Sequence, residues 1–95
     1  MNILLEVCCG SADDVIQAYQ GGANRVELNS CLFHGGLTPS VGELIVAKRH
    51  VPIPVMTMIR PRQGGFCYPN MHSAMRMGAT AARKALAELA AGPKA

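Results

Sequence analysis

The chain alternates short apolar runs with helix-forming stretches, and this alternation is the strongest constraint on its fold. The apolar runs are Asn2–Val7, Arg25–Leu28 and Val55–Ile59, and each is followed by a turn and then by a segment that favours a helix. A strand–helix repeat of this kind is typical of parallel sheets with right-handed crossovers. We therefore predict an α/β fold with about three βα units and parallel strands.

Residues that begin and end helices place the three predicted helices. Ser11 can cap the first helix, and Gly21–Gly22 ends it. The second helix is predicted from Val41 to about His50, and the third over residues 71–91, which are rich in Ala and Met. Gly92–Pro93 would end the third helix.

Composition excludes several classes of protein. The chain has 95 residues, of which 49% are hydrophobic and 16% are charged, so it is too apolar for a disordered segment and fits one small domain. No apolar run reaches the roughly 18 residues that a membrane span needs. No signal peptide is visible, and four cysteines in such a chain indicate reduced thiols. We expect a cytoplasmic protein without a membrane partner.

Charge is distributed unevenly along the chain. Residues 1–58 carry three basic and five acidic groups, a net charge of −2, whereas residues 59–95 carry six basic groups and one acidic group, a net charge of +5. A nucleic-acid binder normally shows a denser basic stripe with aromatic residues among the basic ones. This chain has no Trp, two Phe and two Tyr. The composition therefore predicts no nucleic-acid partner.

Charged residues occur at the predicted strands and their carboxyl ends, where parallel α/β folds place functional groups. Glu6 lies in the first strand, Glu27 in the second, and Arg60 follows the third. Buried carboxylates need a partner, and the planar guanidinium of Arg60 could supply it. The three residues form either a structural ion-pair network or a polar site for an anionic or polyol-like ligand, in which the acids act as general acid and base.

Two glycine-containing loops precede predicted helices. Gly35–Ser40 leads into a helix N-terminus, which is favourable for anions, and Arg62 lies beside a second glycine pair, Gly64–Gly65. Thr38 and Ser40 could therefore bind an anion together with Arg62. The alternative, which we favour for each loop alone, is tight turning with helix capping by Thr38 or Ser40.

Sulfur-containing residues raise the question of a metal. Cys8 and Cys9 are adjacent, so they cannot point to the same face of a strand. No CxxC pair and no histidine spacing suits zinc, but thiolates and thioethers suit Cu(I). Met56 and Met58 alternate in a strand, and we expect them to fill gaps in the core.

Four segments together resemble a known family. LLEVCCGS, GGANRVEL, GGLTPSVG and IPVMTMIRPRQGGFCY occur in this order and resemble the N-terminal third of the CutC copper-homeostasis family; they occupy Leu4–Ser11, Gly21–Leu28, Gly35–Gly42 and Ile53–Tyr68. The resemblance implies a (β/α) barrel of the TIM type, a cytoplasmic location and a role in copper tolerance or trafficking.

The resemblance also implies roles for individual residues. The pocket groups of the family correspond to Glu6, Glu27, Arg60 and Arg62, and the first of its copper-binding thiols corresponds to Cys8. The second thiol position is occupied here by Asn29. The nearest thiol is Cys31, two residues further on, which would project to the same side if the strand continued that far.

The length of the chain predicts only part of a barrel. A full barrel has about 250 residues, so we expect residues 1–95 to form a single truncated barrel fragment. Residues 1–68 resemble the family, and residues 69–95 form a divergent Ala-rich helical tail. Two open sheet edges would then favour homo-oligomers.

The predicted function is copper homeostasis, with a copper ion, Cu(I), as ligand and with Cys8 and Cys31 as its thiols. The alternative is a barrel enzyme that binds a small anionic or sugar-like molecule through Glu6, Glu27 and Arg60. A third interpretation is a fragment with no function of its own.

Overall fold

Three parallel βα units make up the part of the chain that the structure describes, residues 2–65 and 72–90 of a computed structural model. This architecture confirms the predicted α/β fold. Cys67 and the proposed helix stop at Gly92–Pro93 lie outside the described residues. The elements are β1 (Glu6–Cys9), α1 (Ala12–Gln20), β2 (Arg25–Leu28), a 3₁₀ helix (Leu32–His34), α2 (Val41–His50), β3 (Val55–Thr57) and α3 (His72–Ala90).

The three strands form one sheet in the order β1-β2-β3. Both pairings are parallel, and Glu27 lies opposite Cys8 of β1 and opposite Met56 of β3. Residues that are opposite one another in such a ladder point to the same face of the sheet. The register therefore decides which polar side chains share a face.

The helices cover one face of the sheet, and the core lies between them and the strands. Alternate strand residues point into this core, because side chains alternate between the two faces of a strand. The buried apolar residues are Cys9, Ala12, Val15, Ala23, Val26, Leu28, Leu44, Ala47 and Val51. The residues between them in the strands point to the opposite, open face.

Strand β1 is displaced from its predicted position. The sequence favoured Asn2–Val7, but the strand spans Glu6–Cys9, because β2 begins at Arg25, opposite Glu6. The Leu5 carbonyl accepts the N–H groups of Asn24 and Arg25, which anchors the chain just before the strand. Consequently, both adjacent cysteines belong to β1, and neither lies in a turn.

Each of the first two helices begins at a serine cap: Ser11, as predicted, and Ser40, one of the two predicted candidates. Ser11 Oγ accepts the N–H of Asp14, and Ser40 Oγ accepts the N–H of Glu43. The Glu43 carboxylate in turn accepts the N–H of Ala12 at 2.6 Å. The first turn of α2 thus supplies a hydrogen-bond acceptor to the first turn of α1, which satisfies one of its unpaired donors.

Candidate functional site

The candidate site is a row of three side chains on the open face of the sheet. Cys8, Glu27 and Met56 lie on neighbouring strands in direct register. Cys8 and Met56 are exposed, and Glu27 is partly exposed. The two sulfur-containing side chains therefore flank a carboxylate on a surface that none of the described helices covers.

The Cys8 thiol donates a hydrogen bond to the Glu27 carboxylate, with 3.5 Å between Sγ and Oε1. This hydrogen bond and the negative charge of Glu27 raise the pKa of Cys8, and Glu6 adds a smaller contribution of the same sign. A raised pKa keeps the sulfur protonated near neutral pH. Cys8 is therefore a weak nucleophile, and a soft metal ion must displace its proton to bind.

Cys9 is buried, in contrast to the exposed Cys8, since only 1% of its surface is accessible. It packs in the core between β1 and the helices, and its thiol donates to the carbonyl of Val7 at 3.5 Å. Burial is the main reason that its pKa is raised. Of the two adjacent cysteines, Cys8 therefore lies on the open face of the sheet and Cys9 lies in the core.

Glu6 forms an ion pair with Arg25, and 2.6 Å separates Oε1 from Nε. The two residues are partners in the β1–β2 register and lie on the open face, each about one-third exposed. The sequence suggested Arg60 as a partner for the carboxylates. Arg25 was missed because strand register, and not sequence spacing, brings it to Glu6.

Arg60 binds two loops at the carboxyl ends of the strands. Its guanidinium donates to the carbonyls of His34 and Gly36 in the β2–α2 loop and to the carbonyl of Gly64 in the loop after β3. The backbone of Arg60 also exchanges hydrogen bonds with Thr38, through N–H to Oγ1 and from Thr38 N–H to the Arg60 carbonyl. Arg60 therefore holds the two loops together.

The other proposed anion-binding groups also have partners within the protein. Thr38 Oγ1 accepts the Arg60 N–H at 2.8 Å, and Ser40 Oγ caps α2. The Arg62 guanidinium donates to the carbonyls of Gln63 and Gly65 in its own loop. These contacts fit turning and capping, the interpretation that the sequence favoured for each loop.

Asn29 fills the position at which the family resemblance implied a second thiol. It is buried, and its side-chain amide donates to both the carbonyl and the carboxylate of Glu27. The latter contact orients the same carboxylate that accepts the Cys8 thiol. Asn29 therefore helps to position the Glu27 carboxylate beside Cys8. This role of Asn29 was not recognised from the sequence.

Cys31 lies in the β2–α2 loop, because β2 already ends at Leu28. Its backbone is left-handed, with φ of 47°, and its thiol is free and exposed. The next residue, Leu32, packs against Gly10, where an added Cβ would lie 3.1 Å from Leu32 Cδ1. This contact brings the Cys31 loop to the end of β1.

A family model for the CutC family matches residues 3–91 of this chain. The chain belongs to the CutC family. Curated members include a CutC family protein of Treponema denticola, 52% identical over 67 residues, which are 70% of this chain and 27% of that protein. The human copper homeostasis protein cutC homolog is 54% identical over 65 residues, which are 68% of this chain and 24% of that protein.

A solved CutC structure has the same fold. The crystal structure of a CutC copper homeostasis protein from Streptococcus agalactiae superposes with a TM-score of 0.79 at 33% identity. The match covers 88% of this chain and 42% of that chain. This chain spans about a quarter of the length of the curated CutC relatives it matches.

Among the described residues, no group of three or more His, Cys, Asp and Glu side chains is placed to hold a metal ion. Within the same residues, no helix combines the length and apolarity that crossing a membrane requires.

Proposed function

We propose that this CutC chain acts in copper homeostasis by holding Cu(I) on the open face of its sheet, with Cys8 as the principal ligand. The observation that carries the proposal is the exposed Cys8 thiol on the face that the helices leave uncovered. The names of the mammalian relatives, copper homeostasis protein cutC homolog, support the same function. In this proposal Cu(I) is the cargo that the protein binds and releases.

Cys31 is proposed as the second thiolate. It is exposed, and the packing of Leu32 on Gly10 holds its loop near the carboxyl end of β1. Cys8 binds copper after losing its proton to solvent, so copper affinity rises with pH in the range where this thiol titrates. Because thiols persist in a reducing compartment, we propose the cytoplasm as the place of action.

The alternative of a barrel enzyme receives less support. Its anion clamp was expected to be Arg60, whose guanidinium is engaged by three loop carbonyl oxygens. Its paired acids have other partners as well, since Glu6 binds Arg25 and Glu27 binds Cys8 and Asn29. Metal binding by Cys8 requires release of its proton, which ends its hydrogen bond to Glu27.

The test is a titration of the full chain with Cu(I) under anaerobic, reducing conditions, against a coloured Cu(I) chelator as competitor. We expect Cys8→Ser to weaken Cu(I) binding by about 10- to 100-fold, and Cys31→Ser to weaken it less. Cys9→Ala is the matched control, because Cys9 lies in the core, and it should leave affinity unchanged. Equal affinity of the wild-type and Cys8→Ser chains would reject the proposal.

A further inference from the structure

Met56 is exposed on the open face although methionines in this strand were expected to fill the core. Half of its surface, 51%, is accessible. Its neighbours Val55 and Thr57 line the cleft between the sheet, α2 and α3, so they point towards the helices. Because side chains alternate along a strand, Met56 points the other way, to the face that carries Cys8.

The strand register places Met56 close enough to act together with Cys8. Glu27 is opposite both residues, one on each neighbouring strand. Adjacent strands lie about 4.8 Å apart, so the Cα atoms of Cys8 and Met56 are separated by about 10 Å. The methionine side chain is long and flexible, so its sulfur can approach the Cys8 sulfur across the Glu27 carboxylate.

We propose that Met56 is a thioether ligand of the Cu(I) that Cys8 holds, an inference that rests on the proposed function. Cu(I) prefers soft thiolate and thioether sulfur. Cys8 would bind as a thiolate after its proton leaves to solvent, and the Met56 sulfur would donate a lone pair without losing a proton. The site would thus add one neutral sulfur ligand, from the strand on the other side of β2, to the thiolates of Cys8 and Cys31.

The first test uses NMR of the full chain with ¹³C-labelled methionine methyl groups and Ag(I), a soft cation that resembles Cu(I) and does not change its oxidation state. The signal that disappears in Met56→Leu is assigned to Met56. We expect it to shift when Ag(I) is added to the wild-type chain and to stay in place in Cys8→Ser. Met77, which is 71% exposed on α3, is the matched control and should not shift.

The second test is the Cu(I) competition described above, applied to methionine variants. Met56→Leu keeps the size and apolarity of the side chain and should weaken Cu(I) binding by about tenfold. Met77→Leu should have no effect. Met58→Leu is a further comparison, because Met58 follows β3 one pleat beyond Met56.

The possible results distinguish a failure of the Met56 inference from a failure of the proposed Cu(I) binding by Cys8. If binding depends on Cys8 but the Met56 signal stays in place, or if Met58 shifts in its stead, the inference is wrong and the proposed function stands. If Cys8→Ser binds as tightly as the wild-type chain, the proposed function is wrong and the inference fails with it. A wild-type chain that binds neither ion rejects both.

Discussion

Cys8 and Cys9 are adjacent in the chain but have opposite surroundings. Cys8 is exposed beside a carboxylate, and Cys9 is buried under the helices. Strand geometry alone dictates that the two thiols face opposite ways. The Cys8 thiol is governed by electrostatics and the Cys9 thiol by burial, so different changes should alter their reactivity.

Replacing Glu27 should make Cys8 more reactive. Glu27→Gln replaces the carboxylate that accepts the Cys8 thiol hydrogen bond and removes its negative charge, so the pKa of Cys8 falls towards its ordinary value and more thiolate exists near neutral pH. We expect iodoacetamide to modify Cys8 several-fold faster at neutral pH, as measured for each cysteine by peptide mass spectrometry. The difference should shrink at pH values above the pKa of the wild-type thiol.

Cys31 is the internal control for this measurement, because Glu27 is not among its described contacts. Its alkylation rate should be the same in both proteins, and Cys9 should stay unmodified while the chain is folded. An unchanged rate at Cys8 would show that Glu27 does not control this thiol.

At the scale of elements, the loops after β2 and β3 depend on each other through Arg60. The β2–α2 loop also closes on itself, since Ser30 and Leu37 exchange backbone hydrogen bonds. Arg60 then joins this closed loop to the loop that contains Gly64. A guanidinium can serve several carbonyls at once because it presents five donors in a fixed plane.

Removing this guanidinium should loosen the β2–α2 loop. In Arg60→Met, the carbonyls of His34 and Gly36 lose a donor, so we expect faster hydrogen–deuterium exchange over residues 29–38. Arg62→Met is the matched control, because Arg62 donates to carbonyls of its own loop. Equal exchange in the two variants would contradict a role for Arg60 in joining the loops.

Two glycines should respond in opposite directions when changed to alanine. Gly36 has φ of +93°, and an added Cβ would lie 2.5 Å from Asn29 Oδ1, so Gly36→Ala should destabilise the fold by about 1–3 kcal/mol. Gly42 lies in α2, where an added Cβ would make an ordinary contact with Ser40 Oγ at 3.8 Å, so Gly42→Ala should stabilise the fold by about 0.5–1 kcal/mol. Urea unfolding followed by circular dichroism measures both, and a stable Gly36→Ala chain would contradict the close packing of Asn29.

Sequence patterns predicted some elements well and others less well, for a physical reason. The bounds of β2 and α2 agree with the prediction because turn and capping residues mark them locally. Strands β1 and β3 differ, because each is strand only where β2 lies opposite. The same dependence on register hid the Glu6–Arg25 pair and the position of Met56, neither of which sequence spacing reveals.

At the scale of the whole molecule, the sheet formed by the described residues has an open face and two open edges. Exposed apolar side chains are numerous for a small chain, and they include Ile3, Leu4, Leu5, Leu32, Phe33 and Met56. Strand edges with unpaired backbone groups readily pair with another chain. We therefore propose that purified chains associate through the edges of β1 and β3.

A proline on the outer side of β3 should reduce this association. The N–H of Met58 donates to β2, so the N–H of Thr57 points away from β2, and Thr57→Pro blocks the edge without removing that bond. We expect a smaller mass for Thr57→Pro by light scattering after size exclusion. Val41→Pro is the control, because proline is tolerated at the first position of α2. A monomeric wild-type chain would reject edge pairing.

The hydrogen bond from Ala12 to Glu43 has a consequence for how such a protein can be divided or recombined. The first helix is completed by a side chain from the second, so the first βα unit is not a self-sufficient module. A gene rearrangement that exchanges one unit must also supply an acceptor in the unit that follows. The smallest piece that can be inherited intact at this end of the fold is therefore a pair of consecutive units.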